Sequence, residues 1–348
     1  MTDITLAIPI YNVASYVEAA LRSALDQDFT AGSYEVLLVD DCGSDGSMAV
    51  VERVLANHAH ADRVRILHHP QNLGLGQARN TAIESAKGRY LFFLDSDDRL
   101  MPDCLSRLYA LAEQHQADVT AGSTSERRED STVEEPRYWL KDTVVRQPAA
   151  GVWMLVNGVE MNIEVWNKLL RTDFLRRHAL RTEHRVMEDS VLDFRMRAYA
   201  QTIVTSSHIT LCYTQRQDSI LGALAGREVS DEIIAVYLDI IKCCQRAIRE
   251  EFGQVKGIYD LYCQRMFYTY YSVRKCRLTA AQQAEIDRHT RQFMDFVPGL
   301  RRLDMGIARL SLLACRLRGY DWRTYEYVYD HRYKRRYYLM ARILGAII

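Results

Sequence analysis

The sequence predicts an α/β fold in which a mostly parallel central sheet is flanked by helices and followed by a helical C-terminal region. Two observations support this prediction. Short apolar runs alternate with helical patterns from the first residue, as in successive βαβ units. Acidic and aromatic residues follow these runs, at the strand ends where ligands of open α/β sheets bind. We expect a catalytic domain over residues 1–220 and a helical region over residues 221–348.

Four strands and three helices make up the predicted alternation. The strands are mostly apolar, as strands buried on both faces are. They lie at Ile4–Ile10, Val36–Val39, Val64–His68 and Tyr90–Leu94. The helices have apolar residues on one face and lie at Val17–Leu25, Met48–Ala59 and Gln77–Ala86. Ser15, with Glu18 three residues later, predicts a capping box at the start of the first helix.

The pattern is less regular beyond Pro102. A helix and a short strand at Asp118–Ala121 precede the polar stretch Thr124–Arg137, which is a loop or a hairpin. Ordered elements are predicted again at Trp153–Val156, Val165–Leu170 and Val191–Tyr199. From Gly222 onward the spacing is mainly helical, as in Ile233–Ile241 and Met305–Leu317.

Composition excludes several classes of protein. Charged residues form 26% of the chain and the net charge is zero, which argues against a disordered chain and against a nucleic-acid-coating protein. The eight cysteines form no C-x-x-C pair, so we expect free thiols in a reducing cytosol. The start MTDITLAIPI lacks the features of a secretion signal, and no apolar run reaches the roughly 20 residues that span a bilayer. A cytoplasmic protein, soluble or peripheral on the inner face of a membrane, is expected.

The C-terminal tail, residues 301–348, is basic and rich in tyrosine. It contains eleven Lys or Arg against four Asp or Glu, and Tyr320–Tyr338 holds seven tyrosines and Trp322. Basic side chains and amphipathic rings both find partners among lipid headgroups, so an anionic membrane surface is one candidate partner. A helical face packed on the catalytic domain or in a homodimer is the alternative.

Three aspartates follow the fourth predicted strand within four residues: Asp95, Asp97 and Asp98. They cannot all remain ionised side by side without a counter-charge, and a hard divalent cation with oxygen ligands is the usual solution. We therefore expect Mn²⁺ or Mg²⁺, bound together with a phosphate-bearing ligand. The alternative is that the run only caps the helix that starts near Pro102.

Two other acidic pairs are ambiguous by themselves. Asp40 and Asp41 precede Gly-Ser-Asp-Gly-Ser, which indicates a turn and nothing more. Glu188 and Asp189 open the helical run Val191–Tyr199, where the helix dipole stabilises carboxylates. A helix cap is therefore one interpretation of the second pair.

Two enzyme classes with similar short motifs do not match the sequence. The run Gly74-Leu75-Gly76 begins like a dinucleotide fingerprint, but Arg79 stands at the third glycine position, which excludes a Rossmann dehydrogenase. A phosphohydrolase of the haloacid dehalogenase type has its D-x-D motif near the start of its domain, whereas here three strands precede it.

Six segments in the same order resemble family-2 glycosyltransferases over roughly residues 1–220. They are IPIYNVASYVEAALRSALDQDF, EVLLVDDCGSDGS, QNLGLGQARNTAIESAKGRYLFFLDSDD, WNKLLRTDFL, MEDSVLDF and YTQRQDSI. The resemblance implies a GT-A fold and an inverting transfer of a sugar from a nucleotide-diphosphate donor, with UDP as the expected nucleotide. It also implies a carbohydrate or lipid-linked acceptor in capsule, exopolysaccharide or lipopolysaccharide synthesis. The alternative is a non-catalytic sugar-nucleotide-binding scaffold, which would be expected to have lost acids, whereas Asp95, Asp97 and Asp189 are all present.

The resemblance assigns the nucleotide to residues near the first strands. Pro9 and Tyr11 would flank the base, and Asp40 would hydrogen-bond it. Arg79 would lie near the base or the diphosphate.

The D-x-D motif of the resemblance is Asp95 and Asp97. It would approach the ribose and the metal, with Asp97 as the main direct ligand and Asp95 beside it. No third protein ligand is evident, and His184 and His208 are the only candidates that we consider for that position.

The acceptor side is implied by three further segments. Asp189 would be the general base, preceded by Glu188 in the E-D motif. Trp166 matches a tryptophan of the sugar pocket, and Arg216 matches an arginine on a flexible segment that pairs with the diphosphate. The stretch RTEHRVMED lacks the glycine-containing loop of many relatives, so the acceptor rim is expected to be built differently.

Overall fold

A computed structural model of the chain describes residues 2–296 apart from residues 160, 185–186, 217–227 and 275. The predicted helix Met305–Leu317 and the basic tail lie outside these residues. The alternation of strands and helices in the first hundred residues is confirmed. Its elements are β1 Ile4–Ile10, α1 Val17–Leu25, β2 Tyr34–Asp40, α2 Ser47–Ala56, β3 Val64–His68, α3 Leu75–Ser85 and β4 Tyr90–Phe93.

The capping box predicted at Ser15 is wrong. Helix α1 begins after Tyr16, whose side chain makes no capping hydrogen bond. The chain before the helix is fixed instead from outside, because the N–H of Val13 donates to Oγ of Ser47 at 2.8 Å. Ser47, the first residue of α2, therefore stabilises the start of α1 in place of the expected local cap.

The described chain between residues 99 and 215 adds six strands and four helices to the elements already named. They are β5 Arg99–Leu100, α4 Cys104–His115, β6 Val119–Arg128, β7 Glu135–Tyr138, β8 Thr143–Arg146, α5 Ala150–Val156, β9 Lys168–Arg171, α6 Thr172–Arg177, α7 Asp189–Tyr199 and β10 Thr202–Gln215. The polar stretch Thr124–Arg137 is a hairpin rather than a loop, since β6 and β7 pair antiparallel.

All ten strands belong to one sheet with the order β3-β2-β1-β4-β9-β6-β10-β5, to which β7 adds on β6 and β8 on β10. The strands β3, β2, β1 and β4 are parallel, as expected. The rest of the sheet is mixed, because β9 lies antiparallel between β4 and β6. An apolar pattern does not encode strand direction, so the sequence could not show this insertion.

The topology brings several strand ends to one edge of the sheet. Strands β1, β2, β4 and β10 all run in the same direction, so their carboxyl ends lie on the same side. Pro9 is tolerated in the central strand β1 because β4 pairs only with Ile4–Ala7 and leaves no ladder bond for the missing N–H. Asp40 ends β2, and Tyr11 and Asp95 come shortly after β1 and β4, so all three lie at this edge.

Contacts within the chain define two units, residues 1–151 with 160–219, and residues 152–159 with 220–348. Every candidate site residue lies in the first unit. In the second unit the structure shows the helices Asp231–Ala247, Ile258–Arg274 and Ala280–Asp295. The seven cysteines of the described ranges are free thiols, as expected. No helix that the structure describes is both long and apolar enough to cross a membrane.

Candidate active site

The buried side chain of Arg79 gathers three acids at the centre of the site. Its Nη2 donates to Oδ1 of Asp95 at 2.7 Å, and its Nη1 donates to Oδ1 of Asp189 at 2.5 Å and to Glu188. Burial alone would lower the pKa of Arg79, but the attraction of the three carboxylates outweighs it and raises that pKa. The end of β4 and the start of α7 are thus joined through one fixed cation.

Helix α3 presents Arg79 because a buried aspartate shapes the loop before it. Asp41 accepts the N–H of Leu73 at 2.9 Å and that of Gly74 at 2.8 Å. Gly74 adopts φ 91°, a conformation that L side chains rarely tolerate. Asp41 also accepts from the ring of His69 at 2.7 Å. Sequence reasoning assigned only a turn to this position, and its structural role was missed.

Gly76 allows the first turn of α3 to pack closely against the chain before α7. A Cβ at this position would lie 2.4 Å from the carbonyl oxygen of His184. The amide of Asn80 fixes the same contact, since Asn80 exchanges hydrogen bonds with the backbone of Thr182 at 2.9 and 3.0 Å. These contacts bring Arg79 within reach of Glu188 and Asp189.

Asp189 is held at both of its carboxylate oxygens. Oδ1 accepts from Arg79, and Oδ2 accepts the backbone N–H of Val165 at 3.2 Å. Burial raises the pKa of Asp189 to about 8, an effect that Arg79 opposes and that Glu188 and Asp95 reinforce. A carboxylate that titrates near neutral pH suits a general base.

The helix-cap interpretation of the Glu188 and Asp189 pair is not supported. Glu188 stands at the N-cap position of α7, but its side chain makes no capping hydrogen bond. It turns to Arg79 instead, and burial raises the pKa of Glu188 while Arg79 opposes that rise.

Asp95, Asp97 and Asp98 each offer one carboxylate oxygen, and these three oxygens lie within 4.8 Å of one another. Oδ2 of Asp97 is 2.9 Å from Nε of Arg216, which follows β10. Asp98 is buried and accepts the N–H of Thr214 at 2.8 Å through Oδ1. Helix α4 starts only at Cys104, so the acidic residues 95–98 do not cap it.

This acidic cluster fits a hard divalent cation. Oδ2 of Asp98 is buried and has no hydrogen-bond partner among the residues that the structure describes. An unpaired buried oxygen beside two further carboxylates is costly unless a cation compensates it. His184 and His208 do not belong to this group. His208 pairs instead with Asp103, at 3.0 Å.

Trp166 forms part of an aromatic stack beside Asp189. It is buried and stacks on Tyr213, with ring centroids 5.9 Å apart and an interplanar angle of 17°. The guanidinium of Arg137 lies 4.0 Å above the other ring of this pair, that of Tyr213. Because Trp166 directly follows Val165, the stack is adjacent to the residue that bonds Asp189.

The nucleotide-binding residues implied by the resemblance lie at the ends of β1 and β2. Tyr11 is 47% exposed, so its side chain is accessible to a ligand. Asp40 accepts from Nδ1 of His68 at 2.8 Å and from the N–H of Cys42 at 3.1 Å. Pro9 is buried within β1. The contacts of Arg79 are with the acids described above, which is a role that the resemblance did not imply.

Two buried cations near Asp189 were also missed. Lys168 and Arg197 are at most 1% exposed, and both donate to the chain between residues 161 and 165. The spacing of Asp193 and Arg197, four residues apart on α7, is the one signal that could have indicated an ion pair. Lys168 lay within a segment that carried the resemblance, but only Trp166 was singled out there.

The family model described as "Glycosyl transferase family 2" matches residues 5–177. Among curated proteins, EpsH of Bacillus subtilis (strain 168) is 26% identical over 204 residues, which are 58% of this chain and 57% of EpsH. The poly(ribitol-phosphate) beta-N-acetylglucosaminyltransferase TarS of Staphylococcus aureus (strain Mu50 / ATCC 700699) is 31% identical over 120 residues, which are 34% of this chain and 20% of TarS. The matched part therefore spans less than two thirds of either relative.

Solved structures share the fold. The structure of S. aureus TarS 1-349 in complex with UDP-GlcNAc aligns with a TM-score of 0.66 at 22% identity, over 85% of this chain and 82% of that one. The mannosyltransferase PcManGT from Pyrobaculum calidifontis in complex with GDP-Man and Mn²⁺ aligns with a TM-score of 0.55 at 16% identity, over 99% and 89%. The expected GT-A fold is thereby confirmed.

Proposed function

The chain belongs to glycosyl transferase family 2, and from that premise we propose that it transfers a sugar from a UDP-sugar to an acceptor hydroxyl with inversion. The observation that carries this proposal is the convergence of Asp95, Glu188 and Asp189 on Arg79, next to the acidic cluster at residues 95–98. One site thus combines oxygen ligands for a metal with a carboxylate that can accept a proton.

The nucleotide would bind at the carboxyl ends of β1 and β2. The exposed ring of Tyr11 offers a stacking surface for the base, and Asp40 offers a carboxylate oxygen to its N–H groups. TarS has been solved with UDP and with UDP-GlcNAc, which supports UDP as the nucleotide here.

Mn²⁺ or Mg²⁺ would be held by Asp97 and Asp95, with Asp98 completing the oxygen set. Such a cation stabilises the charge that develops on the diphosphate as it leaves. Arg216, which pairs with Asp97, would exchange that carboxylate for the diphosphate when the donor binds.

Asp189 would act as the base on the opposite side of the sugar. As the acceptor oxygen forms its bond to the anomeric carbon, the bond from that carbon to the phosphate oxygen breaks and the hydroxyl proton passes to Asp189. The nucleoside diphosphate leaves with the electron pair, so a single displacement inverts the configuration and no covalent intermediate forms. Trp166 would line the sugar pocket beside Asp189.

The setting that we propose is the assembly of a cell-surface polysaccharide on a carbohydrate or lipid-linked acceptor. It is supported by the name of TarS, a poly(ribitol-phosphate) glycosyltransferase. The basic, tyrosine-rich tail of the sequence supports work at an anionic membrane from the cytoplasmic side. Flotation with vesicles containing phosphatidylglycerol tests this part, and a protein that stays at the bottom of the gradient argues for the homodimer or packing alternative.

The function is tested by titrating UDP, GDP, dTDP and CMP calorimetrically into the protein with Mn²⁺, and then repeating the titration with EDTA and with Asp97→Ala. We expect UDP to bind only with the metal and the intact Asp97. A screen of UDP-sugars then follows, in which Asp189→Asn should abolish transfer while UDP still binds. If none of the nucleotides binds, the central proposal is wrong.

A further inference from the structure

Two buried cations hold the chain segment 161–165, which leads to the sugar pocket. Arg197 donates from Nη2 to the carbonyl oxygens of the first two residues of this segment, at 2.7 and 2.9 Å. Lys168 donates from Nζ to Oδ1 of Asn162 at 2.8 Å and to the carbonyl oxygen of Glu164. Both cations are at most 1% exposed, so water does not compete for these hydrogen bonds.

The 161–165 segment ends on the proposed base. Its last residue, Val165, donates its N–H to Oδ2 of Asp189 at 3.2 Å, while Arg79 occupies Oδ1. A carboxylate with a donor on each oxygen has a fixed plane and a fixed direction for its remaining lone pairs. The next residue, Trp166, stacks on Tyr213 at the sugar pocket. The position of the segment therefore sets the orientation of the base and of the aromatic wall together.

Packing alone does not explain these cations. Nε of Arg197 has a carboxylate partner, Asp193, at 2.8 Å, whereas the hydrogen bonds that the structure shows for Lys168 go to an amide and a carbonyl oxygen. Burial of the amine is unfavourable, and it lowers the pKa of Lys168 to about 8. An apolar side chain of similar volume would fill the space at lower cost. What only the cations provide is a set of directed hydrogen bonds to the 161–165 segment.

We propose that Lys168 and Arg197 are positioning residues of the transfer reaction, which hold the 161–165 segment so that the N–H of Val165 orients Asp189 toward the acceptor hydroxyl. This inference rests on the proposed function, because it takes Asp189 as the base. Neither cation touches the donor or the acceptor in this scheme.

Lys168→Met and Asn162→Ala test the proposal through the kinetics of the full-length protein. A base displaced by about 1 Å can lose about 100-fold in rate, so we expect kcat to fall about 100-fold in Lys168→Met and about 10-fold in Asn162→Ala. The donor KM and the Kd for UDP should change by less than about twofold. Asn162→Asp retains the acceptor oxygen for Lys168 and should keep kcat within about threefold of the parent.

Arg65→Met is the matched control. Arg65 also donates to a backbone carbonyl, that of Ser85, but it lies on β3, outside the 161–165 segment. It should leave kcat unchanged. A fall in kcat in Lys168→Met that is matched by an equal loss of UDP-binding sites would show a structural role only and would overturn the proposal.

Hydrogen exchange tests the same inference without turnover. The amide of Val165 should exchange slowly in the parent and in Arg65→Met, and at least about tenfold faster in Lys168→Met and Asn162→Ala. Unchanged exchange at Val165 in Lys168→Met would overturn the proposal even if kcat fell. A parent protein that transfers no sugar would count against the proposed function, and the exchange rates would still decide whether the cations hold the segment.

Discussion

Nη1 of Arg79 donates to Oδ1 of Asp189 at 2.5 Å, and this bond joins helix α3 to the start of α7. The same guanidinium bonds Asp95 at the end of β4, on the side where the metal and the diphosphate are proposed to bind. The donor side and the acceptor side of the site are therefore linked through a single buried side chain. Its removal would leave the neighbouring acids without their shared counter-charge.

We expect Arg79→Met to lower the free energy of unfolding by about 3–5 kcal/mol, because it leaves partly buried carboxylates uncompensated. Urea denaturation monitored by circular dichroism measures the change. Arg53→Met is the control, since Arg53 pairs with Glu18 on the surface and its removal should leave the free energy of unfolding nearly unchanged. Equal losses in the two variants would mean that Arg79 does not hold the acids together.

Transfer should increase with pH through the titration of Asp189. Burial raises the pKa of this carboxyl to about 8, and a general base must be ionised to accept the proton. Below that pKa the ionised fraction falls about tenfold for each pH unit, so kcat should fall likewise. The measurement is kcat between pH 6 and 9.5 with saturating donor and acceptor. A flat profile would contradict the assignment, provided that Asp189→Asn is inactive.

The fold could largely be predicted because its first half is encoded locally. Strands β1 and β3 lie within the predicted bounds, since each is a mainly apolar run between polar turns. The insertion of β9 between β4 and β6 could not be predicted, because it depends on which strand edges remain unpaired when the chain returns. The same limit explains the wrong capping box at Ser15, because the chain before α1 is held by Ser47 of α2, which is distant in sequence.

Without the family resemblance, the sequence predicted only those candidate site residues that come just after the end of a strand. Asp95 and Asp97 follow β4 directly, and the rule for open α/β sheets points to them. The contact between Arg79 and Asp189 spans 110 residues of sequence, and no periodicity encodes such a pair. The burial of Lys168 in β9 could not be predicted either. A lysine in a strand is ordinarily exposed, and only the folded chain shows that this one is buried.

Replacement of Asp98 by asparagine should leave the protein stable, whereas replacement by alanine should destabilise it. Burial, together with the neighbouring Asp97 and Asp95, raises its pKa well above the ordinary range, which favours the protonated carboxyl when no metal is bound. Asn keeps the oxygen that accepts from Thr214, and its NH₂ can face the adjacent carboxylates. We expect Asp98→Asn to change the free energy of unfolding by less than about 1 kcal/mol and Asp98→Ala to lower it by about 1–3 kcal/mol.

Chemical denaturation at pH 7 without added metal compares the two Asp98 variants. Each differs from the parent only at the group that bonds Thr214, so each serves as the control for the other. Equal destabilisation by both would show that Asp98 is ionised and that its charge, rather than its shape, stabilises the loop.

Removal of Arg216 should affect the metal and the nucleotide in opposite directions. Nε of Arg216 lies 2.9 Å from Oδ2 of Asp97, so in the ligand-free protein the arginine competes with a metal for that oxygen. Arg216→Ala should therefore bind Mn²⁺ alone more tightly, by about 3–10-fold. It should bind UDP in saturating Mn²⁺ about 10-fold more weakly, because a charge-assisted contact with the diphosphate is lost.

Isothermal calorimetry with Mn²⁺ alone, and then with UDP at saturating Mn²⁺, separates the two effects. Arg99→Ala is the control, because Arg99 pairs with Glu134 and should leave both affinities unchanged. If Arg216→Ala weakened Mn²⁺ and UDP by the same factor, the arginine would be supporting the acidic cluster rather than competing for it. Opposite signs would instead mean that the diphosphate takes over Arg216 as Asp97 turns to the metal.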